Sequence, residues 1–230
     1  MIVTRREFLA AAAAAPLARR QAPDREAGPG RYPLKLGDDR DGLVYVPQGY
    51  APGKPLPLLM MLHGAGNTSL SVQYTFPLAD EMGVIILAPD SRDERTWDGV
   101  LRSWGPDVDF IGAALLQTLD RYNVDRHRVG VGGFSDGGSY ALSFGITFGD
   151  QFGRVIAMSP GVMQPMAVRG KPRIFLSHGT NDPIMPIDQT SRKFAPKLRS
   201  LGYDVTYREY DGRHSPQPEI VHEAFEWFVG

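Results

Sequence analysis

From about residue 31 onward, uninterrupted apolar runs alternate with stretches in which apolar residues recur every three or four positions. Runs rich in Val, Ile, Leu and Met at 42–46, 56–62, 84–88, 128–134, 154–158, 173–177 and 205–210 read as strands. Most are continuous rather than alternating, the pattern of strands covered on both faces. Helical spacing fits 69–82, 136–148, 188–201 and 218–228. Phe110, Ile111, Ala114, Leu115, Thr118, Leu119 and Tyr122 mark one face of a further helix, with Asp107 or Asp109 near its start. Strands that alternate with helices predict an α/β fold, a mainly parallel sheet with helices on both faces. No internal repeat or interdomain linker interrupts the pattern, so residues 31–230 read as a single domain.

Ahead of it, Thr4-Arg5-Arg6-Glu7-Phe8-Leu9, an alanine run from Ala10 to Ala15 and Pro16-Leu17-Ala18 have the layout of a signal peptide. Paired arginines followed by Phe-Leu resemble the bacterial twin-arginine export signal. The apolar run is too short for a stable membrane span. Residues 1–30 are therefore expected to be an export signal and a flexible lead-in, which predicts a periplasmic or extracellular location.

Composition narrows the chemistry. A net charge of -1 over 230 residues, with no basic stripe, gives no reason to expect a nucleic-acid partner. The absence of cysteine excludes disulfides, thiolate metal sites and a cysteine nucleophile, so a covalent catalyst here would use a hydroxyl. There is no phosphate-binding Gly-x-x-x-x-Gly-Lys loop, no His-Glu-x-x-His and no clustered metal ligands, so neither cofactor nor metal is expected.

The polar and glycine-rich motifs follow strands, where open α/β sheets gather ligands. Gly133-Phe134-Ser135-Asp136-Gly137 lies between a strand and a helix, the context of a nucleophile elbow. Its glycines relieve crowding around a strained turn. A serine hydroxyl needs a base oriented by a carboxylate. The chain offers Asp182, in a turn after a strand, and His214, in a loop before the last helix, in the order Ser, Asp, His. His63 and His178 each end a strand before a glycine and read as loop braces, although either remains a rival base. Asp90 is the rival acid. Backbone amides of Ala65, in His63-Gly64-Ala65-Gly66, and of Asp136, at a helix start, are the candidate oxyanion donors.

These four motifs, the last being Gly212-Arg213-His214-Ser215, resemble the α/β-hydrolase superfamily. More narrowly they resemble its carboxylesterase/phospholipase branch and the polyhydroxybutyrate-depolymerase and feruloyl-esterase-like esterases. The resemblance implies an α/β-hydrolase fold and a carboxylesterase-type serine hydrolase. Ser135 would be nucleophile, His214 base, Asp182 acid, and Ala65 and Asp136 the oxyanion donors. Two residues depart from the common pattern: Arg213 stands before the histidine, and the carboxylate of Asp136 follows the nucleophile. That carboxylate is expected to disfavour anionic substrates or shift the pH profile.

The connection from Met158 to Arg173 is too short for a sizeable cap, so the site is expected to be open. Its substrate-binding walls are expected to be Phe134, Trp104, Met163, Ile184 and Met185, joined by Trp97 and Met166, with Tyr74 and Phe76 on the rim. Such an apolar, aromatic cleft suits small acyl or aryl esters and polyester fragments. A peptidase or amidase with the same triad is the alternative enzyme, and a non-catalytic hydrolase-like binding protein is the alternative of another class. The sequence leaves the oligomeric state open.

Overall fold

The apolar runs assemble into one eight-stranded sheet with helices on both faces. The computed structural model describes residues 28–230 apart from 38 and 102. In chain order its elements are β1 (Gly30–Pro33), β2 (Gly42–Val46), β3 (Leu56–Leu62), α1 (Phe76–Met82), β4 (Ile85–Pro89), α2 (Asp98–Leu101) and α3 (Pro106–Arg121). There follow β5 (Val124–Phe134), α4 (Asp136–Thr147), β6 (Arg154–Met158), β7 (Arg173–Gly179), α5 (Ser191–Ser200), β8 (Val205–Tyr210) and α6 (Pro218–Val229). The expected export leader falls on residues that lie outside the described ones up to residue 27.

The strand order is β1-β2-β4-β3-β5-β6-β7-β8, antiparallel from β1 through β2 to β4 and parallel from there on. From β3 the chain goes to β4 on one side and then to β5 on the other. The topological switch therefore lies at β3 and β5, and the crevice outside their carboxyl ends is where such sheets bind ligands.

Burial on both faces explains the unbroken hydrophobic runs. All seven residues of β3 are buried, and they alternate between two cores. Leu58, Met60 and Leu62 join Ile111 and Leu115 of α3, Tyr140 and Phe144 of α4 and Leu198 of α5. Leu59 and Met61 join Ala79 of α1 and Val221, Phe225 and Phe228 of α6. At roughly 1.5–3 kcal/mol for each large apolar side chain buried, these two layers supply the main drive for the fold.

Differences from the sequence expectation have local causes. The helix expected at 69–82 divides into a 3-10 stretch, Ser69–Thr75, and α1, because Pro77 in the first turn lacks the N–H that would continue an earlier helix. Residue 30, assigned to the lead-in, opens β1, which pairs with β2 from Gly30↔Val46 to Pro33↔Leu43. Similarly, the segment 188–201 begins with a 3-10 turn, Ile187–Gln189, before α5.

The short connection between β6 and β7 is fastened along α4. Ser139, Ser143 and Thr147 are four residues apart and share one helix face. Ser139 Oγ accepts from the amides of Gly161 (2.8 Å) and Val162 (3.3 Å). Ser143 Oγ accepts from Gln164 N (2.9 Å) and Thr147 Oγ1 from Met166 N (3.1 Å). Each hydroxyl donates in turn to the carbonyl four residues back, at 3.1, 2.8 and 2.8 Å.

Candidate active site

Ser135 stands between β5 and α4 with φ 59° and ψ -123°, a left-handed conformation that a non-glycine residue adopts only under constraint. The constraint is steric and comes from its neighbours. A Cβ on Gly133 would overlap the Gly137 backbone, and one on Gly137 would overlap the carbonyls of Leu62 and His63. The turn is then pinned by Ser135 N donating to Met158 O (2.9 Å) and by Ser139 N donating to Ser135 O (2.8 Å). Among the expected features, the elbow is the one whose local sequence accounts for it most completely.

His214 Nε2 lies 2.8 Å from Ser135 Oγ, and His214 Nδ1 lies 2.6 Å from Asp182 Oδ2. With its proton on Nδ1, the imidazole donates to Asp182 and accepts from the serine hydroxyl. The two loops meet because the ends of β7 and β8 are stitched together. Thr180 N donates to Tyr210 O (2.9 Å) and Asn181 N to Gly212 O (3.0 Å). The Phe134 ring packs 4.7 Å from the His214 ring.

Asp182 is buried and accepts on both oxygens. Oδ1 takes the amides of Ile184 (2.9 Å) and Met185 (2.8 Å), an Asx-type turn, while Oδ2 faces His214 and, at 3.2 Å, His178 Nε2. Burial alone would raise its carboxyl, but the bonds from His214, Met185 and Ile184 outweigh this and hold it below 3.8. His178 is itself buried, which lowers its affinity for a proton. Its Nδ1 accepts from Ser191 Oγ (2.7 Å), and Nε2–H donates to Met185 O (2.7 Å).

His63 is likewise held neutral by burial. Its Nδ1–H donates to Gly64 O (2.8 Å), and its Nε2 accepts from Ser91 N (3.0 Å). Both rival histidines thus brace loops, as their positions before glycines imply. The rival acid Asp90 accepts from the amides of Ser69 (2.5 Å) and Asp41 (3.2 Å), far from the His214 loop in its bonding.

The loop after β3 runs beside the elbow: a Cβ on Gly64 would sit 3.6 Å from Ser135 Cβ. Ala65 follows it, and its carbonyl is taken by Asn67 Nδ2 (2.9 Å). Asp136 opens α4, where first-turn amides have no acceptor within the helix and the dipole favours an anion. The Asp136 side chain accepts from Thr96 Oγ1 at 2.5 Å.

The expected pocket walls separate into distinct groups. Ile184 and Met185 lie on the Asp182 turn, with Ile184 62% exposed, and the Met185 side chain packs so closely on Gly161 that a Cβ there would overlap its sulfur. Trp104 lies tilted against Tyr140 and stacked on Phe144, its Nε1 donating to Gln164 O (3.3 Å), and Met163 packs against the same core. Met166 is exposed on the same connection. Trp97 is a correction: it is fully buried and donates Nε1 to His63 O (2.8 Å), so it braces the loop after β3. Tyr74 and Phe76 pack against the second core, Phe76 stacked on Tyr45.

A cleft of about 880 Å³ beside the loop after β3 is lined by Asp39, Arg40, Arg92, Asp93, Glu94 and Arg95, none of them an expected wall residue. Arg40 joins it to the site by donating to Asn67 O (2.8 Å) and Ser91 O (2.5 Å). The sequence carried no motif for Arg40 or Thr96, which act through partners tens of residues away. Among the described residues, no group of three His, Asp or Glu side chains is arranged to hold a metal.

Residues 34–194 match the Esterase family. Among curated proteins, the chain is 27% identical over 197 residues to a bifunctional acetylxylan esterase/xylanase of Neocallimastix patriciarum, covering 82% of this chain and 29% of that protein. It is 29% identical over 154 residues to feruloyl esterase C of Emericella nidulans, covering 65% of this chain and 57% of that one. The chain therefore spans less than two thirds of the length of these relatives. Among solved structures, the fluorophosphonate-binding serine hydrolase FphF of Staphylococcus aureus superposes with a TM-score of 0.72 at 16% identity, covering 89% of this chain and all of that one (100%). That likeness is one of fold. Sequence match and architecture together make this chain a member of the Esterase family with an α/β-hydrolase fold.

Proposed function

We propose that this chain is a serine carboxylic-ester hydrolase that works through an acyl-enzyme. The observation that carries the reading is the continuous relay of 2.8 Å from Ser135 Oγ to His214 Nε2 and 2.6 Å from His214 Nδ1 to Asp182 Oδ2. His214 takes the Ser135 proton as Oγ attacks the ester carbonyl, and Asp182 stabilises the imidazolium that forms. The amides of Ala65 and Asp136 receive the tetrahedral oxyanion. Collapse expels the alcohol with the proton from His214, and water, activated by the same histidine, releases the acid.

The substrate class is small acyl or aryl esters, polyester fragments included. Phe134 beside His214, with Ile184 and Met185 on the acid turn, supports an apolar acyl side. The name of the Emericella nidulans relative, a feruloyl esterase, agrees with an aryl acyl group. Short-chain p-nitrophenyl esters should give burst hydrolysis, and a fluorophosphonate should label Ser135. Full ester turnover by Ser135→Ala overturns the proposal, and a preference for a matched anilide over the ester would make the enzyme an amidase.

A further inference from the structure

Asp136 follows the nucleophile at the start of α4, and its bonding points to a use for the carboxylate that does not involve substrate. Residues 91–97, with Asp98 at the start of α2, form a strap after β4 that touches both carriers of the proposed oxyanion amides. On the side of the loop after β3, Arg95 O accepts from Gly66 N (2.8 Å), and Trp97 Nε1 donates to His63 O (2.8 Å). Toward α4, Thr96 Oγ1 donates to Asp136 Oδ2 (2.5 Å), and Asp98 Oδ1 accepts from Tyr140 OH (3.1 Å). Residues 95 and 97 thus hold the loop while 96 and 98 hold the helix. Asp136 and Tyr140, four residues apart, present one helix face to the strap.

The strap is itself fixed at both ends. Asp107 accepts from Arg92 N (2.5 Å) and Asp98 N (2.7 Å), and Asp98 Oδ2 accepts from Gly105 N (2.9 Å) and Asp107 N (2.8 Å). Thr96 and Asp136 are 3% and 8% exposed, so their bond is shielded from water. A hydroxyl donating to a carboxylate is a charge-assisted bond, stronger than one to a neutral acceptor.

We propose that Thr96 is a positioning residue that sets the spacing between the Ala65 and Asp136 amides, with the Asp136 side chain as its anchor. The proposal rests on the serine-hydrolase reading. An oxyanion hole works only when its donors are aimed at the developing charge, and a misplacement of about 1 Å costs about 100-fold. Thr96 touches neither nucleophile nor base, so its removal should weaken the transition state without weakening substrate binding.

The test is Thr96→Val, which keeps the shape and deletes the hydroxyl, assayed on a p-nitrophenyl ester beside Thr96→Ser, Asp136→Asn, Asp136→Ala and Ser135→Ala. Thr96→Val should lower kcat by about 10- to 100-fold with KM changed by less than about threefold. Affinity for a trifluoromethyl ketone, which mimics the tetrahedral intermediate, should fall in parallel. Thr96→Ser preserves the donor and should retain most of kcat, whereas Asp136→Asn keeps an acceptor but loses the charge assistance and should fall between the wild type and Asp136→Ala. Asp136→Ala should match Thr96→Val, and the double variant should be no slower than either, the non-additivity of one shared bond. Should Thr96→Val not fold, Asp136→Ala carries the same test.

Wild-type kcat in Thr96→Val and Asp136→Ala, or a loss confined to KM, overturns the positioning role while an inactive Ser135→Ala leaves the hydrolase reading standing. Turnover by Ser135→Ala would instead overturn the reading beneath it.

Discussion

The serine elbow and the Asp182 turn are held by different physics, although their side chains meet on the same imidazole. At the elbow the constraint is exclusion. Ser135 sits at φ 59° because glycines at 133 and 137 let the backbones of β3, β5 and α4 approach one another closely. The acid turn is constrained by attraction. Asp182 gathers the amides of Ile184 and Met185 and the rings of His214 and His178 around one carboxylate. An excluded-volume constraint admits no partial failure, whereas a hydrogen-bonded one can be weakened, retuned or titrated.

The largest break in that comparison is Gly137→Ala. The new Cβ would press on the Leu62 carbonyl at the end of β3 and the His63 carbonyl just beyond it, backbone groups that cannot rotate away. A loss of about 3 kcal/mol or more is expected, seen as failed expression or a collapsed thermal melt with no turnover. A variant that melts and turns over like the wild type would show that the elbow has slack.

Asp182→Asn should separate chemistry from folding. The amide oxygen can still accept from Ile184 and Met185, but its NH2 group would face His214 Nδ1 and favour the wrong tautomer. A fall in kcat of about 10⁴ is expected, with a proportionately much smaller loss of stability in the thermal melt. If stability falls as steeply as turnover, the acid turn is no more adjustable than the elbow.

Acid should weaken the hydrogen-bonded regions first. His63 and His178 are held below 6.5 by burial, so the folded state resists protons that the unfolded chain accepts. Their contribution is complete above 6.5 and declines as pH falls through their folded values. Asp182, held below 3.8, adds stability that is present above that value and is lost only as pH falls through its own lower one. Asp107, whose carboxyl burial pushes up to about 6, works the other way by binding a proton more readily in the folded state. It is therefore in an Asp107→Asn background that melting temperature should decline from pH 7 to pH 5, before Asp182 titrates. A flat profile over that interval would remove the titratable half of the contrast.

The smallest effect is expected on the hydroxyl ladder. Ser143→Ala leaves the Gln164 amide without its acceptor and should cost about 1 kcal/mol, a melting shift of about 2–4 °C, with kcat unchanged. A drop in kcat would show that the connection over α4 shapes the site directly.

Much of this organisation was legible in the chain because it depends on neighbours in sequence. The apolar runs of β3, β6 and β7 announce burial on both faces, and Gly-x-Ser-x-Gly announces a turn that only glycines permit. The order Ser135, Asp182, His214 follows the strand ends that carry them. Misreadings arose where the signal is short or side-independent. The strand β1 has four residues and a proline, and α2 is a single turn. An aromatic such as Trp97 satisfies a buried brace and a pocket wall equally well on paper.

Periodicity and missing side chains act over a few residues, so the alternation of strand and helix, the two-sided burial of the sheet and the strained serine follow from the order of residues along the chain. It takes the folded molecule to turn Trp97 inward, to bring His178 to the carboxylate it shares with His214, and to carry Thr96 to Asp136. Those contacts join segments brought together by strand order and loop stitching, and a polar side chain does not carry the address of its partner.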